Sequence, residues 1–169
     1  MEEQVVLVNE NDEILGLMNK QEAHEKGILH RAFSVFLFNT KGEMLLQKRV
    51  AGKYHSPSCW TNAVCSHPRN GETYLEAAHR RLSEELGIKT QLTEKFHFIY
   101  KADVGQNLWE HELDYVFFGE YEGEFQLNPS EVEAVRYISS EDLKKELETQ
   151  PETFTAWFKI ILNEYLVQE

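Results

Sequence analysis

Cysteine is scarce: only Cys59 and Cys65 occur in 169 residues, too few for a disulfide framework. Both are expected to be free thiols in a reducing compartment. Long apolar runs are missing as well. No stretch approaches the roughly eighteen apolar residues of a membrane helix, so no spanning segment is expected. The N-terminus carries no basic-plus-apolar leader, which makes a cytoplasmic location the expectation. Basic residues are few, 17 against 29 acidic, and the formal charge of -12 argues against a nucleic-acid surface. There is also no internal repeat, linker or low-complexity tract. What remains is an ordinary soluble composition, 41% hydrophobic and 27% charged, long enough for one domain over 1–169 and too short for two.

Hydrophobic periodicity supplies the elements. Residues 5–8 and 14–18 read as a hairpin around the polar turn 9–13, and 21–27 as a short helix ended by Gly27. In 31–38, Phe33, Val35 and Leu37 face one way and Ala32, Ser34, Phe36 and Phe38 the other. Apolar groups on both faces predict a central, doubly covered strand. A turn at 39–42 leads into 44–49, antiparallel to it. Residues 50–71 have no clear period and read as loop. A helix over 73–86 follows, with Leu75, Ala78, Leu82 and Leu86 as its core stripe and Gly87 as its cap. Strands are expected over 96–102, 109–121 and 132–138. Ser139 is placed to cap a helix to about Leu147, and Pro151 to start a last helix through Phe154, Trp157, Phe158 and Ile161. The sum is a mixed α/β (α+β) domain, with 1–30 as an N-terminal extension of the core sheet and 151–169 as the C-terminal helix.

Chemistry-bearing residues fall into two groups. Glu110 and Glu112 are two apart in a strand, so their carboxylates share one face. Close carboxylates repel unless a cation or proton holds them. With His24, His30 and His67 they offer imidazole nitrogen and carboxylate oxygen, a donor set suited to Mn, Fe or Zn and less to Mg. Surface histidines and a solvated sheet face are the alternative for the same residues. His55, His79, His97 and His111 are expected to be structural or exposed. The second group is the helix, where Glu72, Glu76, Arg80 and Glu84 recur every fourth residue and Arg81 stands four before Glu85. Lys20, Arg49, Lys53, Arg80 and Arg81 are candidate phosphate contacts in an otherwise acidic chain.

The pattern Glu72…Arg80-Arg81-Leu82-Ser83-Glu84-Glu85-Leu86-Gly87-Ile88 resembles the Nudix box, whose helix carboxylates hold Mg²⁺ against a diphosphate. Two positions depart. Ser66 stands where the box begins with Gly, and Arg81 where a hydrolase has a Glu that helps complete its metal site. Trp60-Thr61-Asn62-Ala63-Val64-Cys65-Ser66-His67-Pro68, Trp109-Glu110-His111-Glu112 and His24…His30-Arg31-Ala32-Phe33-Ser34 together resemble type I isopentenyl-diphosphate isomerase. The likeness runs from near the start to about residue 160, and Ser66 is an accepted variant within it.

This resemblance implies a Nudix-like mixed sheet sandwiched by helices, with an N-terminal strand extension. It implies His24, His30, His67, Glu110 and Glu112 around one divalent cation, with Mn²⁺, Zn²⁺ and Mg²⁺ as the candidates. Glu85 and the backbone carbonyl of Cys65 would hold a second ion, Mg²⁺, that arrives with the diphosphate. Cys65 and Glu112 would be the proton-transfer residues, Tyr100 would assist Glu112, and Trp157 would face the cationic centre. Lys20, Arg49, Lys53 and Arg81 match diphosphate contacts. The reaction implied is isomerisation of isopentenyl diphosphate to dimethylallyl diphosphate through a tertiary carbocation. Small isoprenoid diphosphates are then the expected partners, with no nucleic acid and no membrane, and a monomer is expected, a homodimer being the alternative. Nearby cations should depress the Cys65 thiol below its free pKa of about 8.5. A diphosphate hydrolase is the competing activity, but it needs a Glu at position 81 and gives Cys65 and the three histidines no task. A non-catalytic binding protein is the third reading.

Overall fold

Strand β3 (His30–Phe38) alternates large apolar side chains on two faces, and the fold is built by covering both. The computed structural model describes residues 3–53 and 56–166. His55 and residues 167–169 of the expected C-terminal helix lie outside them. On one face Phe33, Val35 and Leu37 pack with Leu45, Val64 and Phe117 under Ala77, Ala78, Leu82 and Leu86 of helix α2 (Tyr74–Leu86). On the other, Phe36 packs with Leu46, Phe98 and Val116 under Leu143 of α3 (Ser140–Thr149) and Trp157, Phe158 and Ile161 of α4 (Ala156–Ile161). This is the expected mixed sheet between helices.

The N-terminal hairpin of β1 (Gln4–Val8) and β2 (Ile14–Asn19) extends the sheet, β1 meeting β3 at Leu7 and His30. Helix α1 (Lys20–Lys26) follows at once. Asn19 accepts the backbone N–H groups of Gln21 and Glu22, and Gly27 ends the helix in the left-handed region at φ 65. Strand β8 (Trp109–Glu120) runs parallel to β3 with His30 opposite Glu112, and β7 (Leu92–Asp103) pairs antiparallel on its outer side with Tyr100 opposite Glu112.

The sheet splits where the function will be found. Strand β4 (Met44–Arg49) is antiparallel to β3, as expected, but the two are bridged only at Phe38 and Met44. Beyond that point β4 pairs with β5 (Trp60–Thr61) and β9 (Val132–Ile138), while β3 pairs with β6 (Val64–Ser66). The short strands β5 and β6 lie within the stretch read as loop. At two and three residues, they are too short to show a period.

Two boundaries also differ from expectation. Leu75, in the first turn of α2, is 42% exposed rather than core, while Tyr74, Ala77, Ala78, Leu82 and Leu86 pack inward. Thr73 and Glu76 close a capping box there. Pro151 starts a 3-10 turn, Pro151–Thr153, and the last helix begins only at Ala156, with a π-helical turn from Leu162 to Leu166. Phe154 is then a bridge partner of Trp60 rather than a helix residue. Among the described residues no helix is long and apolar enough to cross a membrane.

Candidate active site

Two strand pairings begin the site. Residues opposite one another on neighbouring strands point to the same face, so Tyr100, Glu112 and His30 align across β7, β8 and β3. Glu110 joins them two residues earlier on β8. Helix α1 brings His24 in, fully buried, and the chain leaving β6 brings His67. The three imidazole rings have centroids 5.0–5.8 Å apart. The five donor atoms of His24, His30, His67, Glu110 and Glu112 lie within 4.8 Å of one another.

The hydrogen bonds of these rings say what the cluster fits. His24 Nδ1 meets the Lys20 carbonyl at 2.6 Å and His30 Nδ1 the Ile28 carbonyl at 2.8 Å. A carbonyl only accepts, so each ring carries its proton on Nδ1 and turns an Nε2 lone pair inward. There His24 Nε2 faces Glu110 Oε2 at 3.1 Å, and His30 and His67 Nε2 face Glu112 Oε2 at 3.3 and 2.8 Å. Lone pairs set against carboxylate oxygens need a proton or a cation between them. Burial pushes His67 down to about 3, against the pull of Glu112, so that ring is neutral at pH 7. For His24 burial opposes the charge, but Glu110 outweighs it and the net direction is upward. Three inward-facing imidazoles with two carboxylates fit a divalent cation.

A second carboxylate centre lies across the cleft. Glu85 on α2 is 4% exposed, and burial raises its pKa despite Arg81 and Lys53 nearby. It accepts from Arg81 at 3.0 Å and from Gln47 Nε2 at 3.2 Å, and the same Gln47 amide donates to the Ala63 carbonyl at 2.6 Å. Arg81 also reaches Glu84 at 3.1 Å. Arg80, counted among the phosphate candidates, instead binds Glu72 at 2.7 Å and Glu84 at 2.9 Å and is not on the cleft wall.

Cys65 sits between the two centres, opposite Ser34 on β3. Its thiol donates to Asn62 Oδ1 at 2.9 Å and accepts the Trp157 indole N–H at 2.9 Å. Asn62 is fully buried and its amide nitrogen donates to the Val35 and Val64 carbonyls, which fixes its oxygen towards the sulfur. Thr155 donates to Thr61 at 2.9 Å, and Thr61 donates to the same Asn62 oxygen, also at 2.9 Å. The expected depression of the thiol is reversed. Burial pushes Cys65 up to about 12, with Asp114 adding to it and the bonds from Trp157, Thr61 and Asn62 only partly compensating. The protein's own groups therefore keep Cys65 protonated. Tyr100 is also raised, by burial and by Glu112, and its hydroxyl donates to Glu112 Oε1.

One cleft of about 300 Å³ joins these parts, lined among others by Cys65, His67, Glu85, Glu110, Glu112 and Trp157. Lys20, Arg49, Lys53 and Arg81 line it too. Lys20 binds Glu3 at 3.0 Å, Lys53 binds Glu131, and the Arg49 guanidinium lies 5.2 Å from the Trp157 ring centre. Apart from Arg80, every expected site residue is thus in or beside one cleft. His111 and His97 stay structural, one bonded to the Gly27 carbonyl and the other stacked on Tyr115.

Sequence reasoning missed several members. Asp114 continues the alternation of Glu110 and Glu112 by one more step, a signal that was there to follow. It is 1% exposed, its Oδ2 accepts from Ser34 at 2.8 Å, and its Oδ1 has no hydrogen-bond partner among the described residues. Burial, reinforced by Glu112, raises it well above the usual carboxylate range. Asn62, Gln47 and Glu131 gave no such signal, because only the folded contacts reveal them.

Comparison with known proteins gives the family. The NUDIX domain family matches residues 28–158. Isopentenyl-diphosphate Delta-isomerase of Pectobacterium atrosepticum is 48% identical, over 93% of this chain and 88% of that protein. Isopentenyl-diphosphate Delta-isomerase 2 of Aromatoleum aromaticum is 43% identical, over 96% of this chain and 86% of that protein. Among solved structures, DR0079 from Deinococcus radiodurans superposes with a TM-score of 0.78, covering 96% of this chain and 99% of that one. At 21% identity that likeness speaks for the fold alone. With a His/Glu donor cluster on a NUDIX domain, and with relatives this similar over nearly the whole length, the chain belongs to the isopentenyl-diphosphate Delta-isomerase family.

Proposed function

We propose that this enzyme converts isopentenyl diphosphate to dimethylallyl diphosphate by adding a proton at one end of the allylic unit and removing one at the other. The observation that carries the reading is the meeting, in one cleft, of a half-buried thiol and a Tyr100-bound carboxylate with four cations around them. The terminal alkene carbon gains a proton, leaving a tertiary carbocation. Loss of a proton from the carbon nearer the diphosphate then restores the double bond at the internal position. No charge or atom is lost overall.

Cys65 and Glu112 are the two proton-transfer residues. The thiol carries a proton in the folded chain, held between Asn62 and Trp157. Glu112 accepts from Tyr100 on one oxygen, which orients the other towards His30 and His67. Trp157 offers its ring quadrupole to the cation, worth about 2 kcal/mol when water is excluded. Its packing against Phe154 and Phe158, with the ring 4% exposed, keeps that wall dry. Lys20, Arg49, Lys53 and Arg81 hold the diphosphate.

His24, His30, His67, Glu110 and Glu112 fit Mn²⁺, with Zn²⁺ or Mg²⁺ as the alternatives. Glu85 and the Cys65 carbonyl fit the Mg²⁺ of the diphosphate. When bound, such ions supply positive charge that strengthens the acid and neutralises the phosphates. The chain works as a single domain over 1–169, as a monomer (a homodimer being the alternative), in the cytoplasm, on small isoprenoid diphosphates. Nucleic acid and membrane are not partners. A hydrolytic reading is disfavoured by Arg81, which sets a guanidinium beside Glu85 where a hydrolase has a carboxylate.

The deciding experiment is incubation with isopentenyl diphosphate and Mg²⁺ in deuterated water. Dimethylallyl diphosphate carrying deuterium is expected. Phosphate release without isomer would sink the proposal.

A further inference from the structure

Five carboxylates line the cleft, and three have a task in the proposed reaction: Glu110, Glu112 and Glu85. Glu3 and Glu131 do not. Both bind cations that the reaction needs elsewhere. Glu3 holds Lys20 at 3.0 Å, while Glu131 holds Lys53 and lies 3.5 Å from Arg81. With four basic side chains against five acidic ones, the cleft wall by itself has no surplus positive charge for an anion.

Glu131 is the firmer of the two. Its side chain is 27% exposed, against 57% for Glu3. Its backbone N–H donates to the Asn128 carbonyl at 3.0 Å and its carbonyl accepts from Val50 at 3.3 Å. The same loop is fastened to the end of α2, Asn128 N–H to the Glu85 carbonyl and Gln126 N–H to the Leu86 carbonyl, each at 2.9 Å. Gly87 makes that docking possible. Its φ is +66, and a Cβ there would stand 2.7 Å from Gln126 Cβ and 2.9 Å from its carbonyl oxygen. The fold therefore fixes a carboxylate beside Glu85, against the two cations of that wall.

We propose that Glu131 is a specificity-determining residue, whose fixed carboxylate makes the cleft refuse a bare diphosphate and admit one that carries its own divalent cation. This rests on the reading that the diphosphate lies against Lys53 and Arg81. A bare diphosphate must take both cations from Glu131 and then bear its repulsion at close range. A diphosphate that chelates a divalent cation presents positive charge to the same carboxylate, and repulsion becomes attraction. Glu131 thus sets which form of the substrate is bound, without taking part in the proton transfers.

The test is calorimetric titration of inorganic pyrophosphate into enzyme with its tightly held metal in place and free metal removed, with and without added Mg²⁺. Glu131→Gln should bind Mg²⁺-free pyrophosphate about tenfold more tightly than the parent, so that the gain from Mg²⁺ shrinks. Glu131→Asp keeps the charge and should keep the parental preference. Unchanged or weaker Mg²⁺-free binding by Glu131→Gln overturns the inference, as does loss of the preference in Glu131→Asp. Lys53→Ala separates the two levels. If it weakens pyrophosphate binding while Glu131→Gln changes nothing, only the inference falls. If Lys53→Ala binds as the parent does, the placement of the diphosphate falls and takes the inference with it.

Discussion

Replacing Asp114 with Asn should stabilise the metal-free protein at neutral pH and do nothing at pH 4. Asp114 is 1% exposed, and among the described residues only one of its oxygens has a partner, the Ser34 hydroxyl. Burial, with Glu112 two residues away adding repulsion, holds its pKa well above the ordinary aspartate value of 3.8. The sign follows from linkage. A group whose folded pKa is raised binds its proton more tightly in the folded state, so its contribution is full below pH 3.8 and is lost as pH rises through the folded value. The loss accumulates at up to about 1.4 kcal/mol for each pH unit in that window. For a domain of this size that is roughly 3–6 °C in Tm per unit. Asn has nearly the same shape and no proton to lose. Its advantage over Asp should therefore open gradually above pH 4 and level off once the folded carboxyl ionises. Thermal melts of both proteins in chelator, from pH 4 to pH 8, measure the difference directly. Other buried titrating groups, His67 and Glu85 among them, are common to both and cancel to first order. Two melting curves that stay parallel across the whole range would refute the reasoning.

Cys65→Ala and Glu112→Gln should each lower kcat by roughly 10²–10⁴-fold, the usual worth of a positioned proton-transfer group, with melting temperatures close to the parent's. Tyr100→Phe removes a hydrogen bond to a carboxylate and should cost about 10–100-fold in kcat with little change in KM, read from steady-state kinetics. Trp157→Ala should cost about 3–5 kcal/mol of stability by leaving a cavity among Phe154, Phe158 and Cys65, whereas Trp157→Phe should keep most of it, as denaturant unfolding would report. Chelation should lower Tm, and Mn²⁺ should restore it, because the inward lone pairs of His24 and His30 otherwise face carboxylates. A Tm indifferent to chelator would remove the case for a tightly held ion.

Much of the site was legible because its parts obey a period. Alternation put Glu110 and Glu112 on one face, and the doubly apolar pattern of 31–38 marked the strand that His30 begins. Four-residue spacing placed Arg81 over Glu85. What the sequence hid depends on geometry that no period encodes. The strands holding Thr61 and Cys65 are two and three residues long, stabilised by β4 and β3 rather than by their own pattern. A 3-10 turn at Pro151–Thr153 delays the last helix and leaves Phe154 outside it, and Leu75 in the first turn of α2 stays in solvent although its spacing fits the core stripe.

The thiol shows where a composition-level argument fails. Four cations around a cleft suggest a depressed Cys65, yet charge counts carry no information on which groups already have partners. Lys20, Lys53 and Arg81 are matched by Glu3, Glu131 and Glu85, so their fields are largely cancelled before reaching the sulfur. Burial and the nearby Asp114 then decide the direction, and the proton stays. Under the proposed mechanism, a thiol that holds its proton in the resting protein would be the group that gives one, with the Tyr100-bound Glu112 as its counterpart. Turning the pair round would require a change in local charge, which a metal-bearing diphosphate lying against Lys53 and Arg81, as proposed, would bring. Acid–base polarity and substrate binding would in this way be coupled through the same carboxylates that line the cleft.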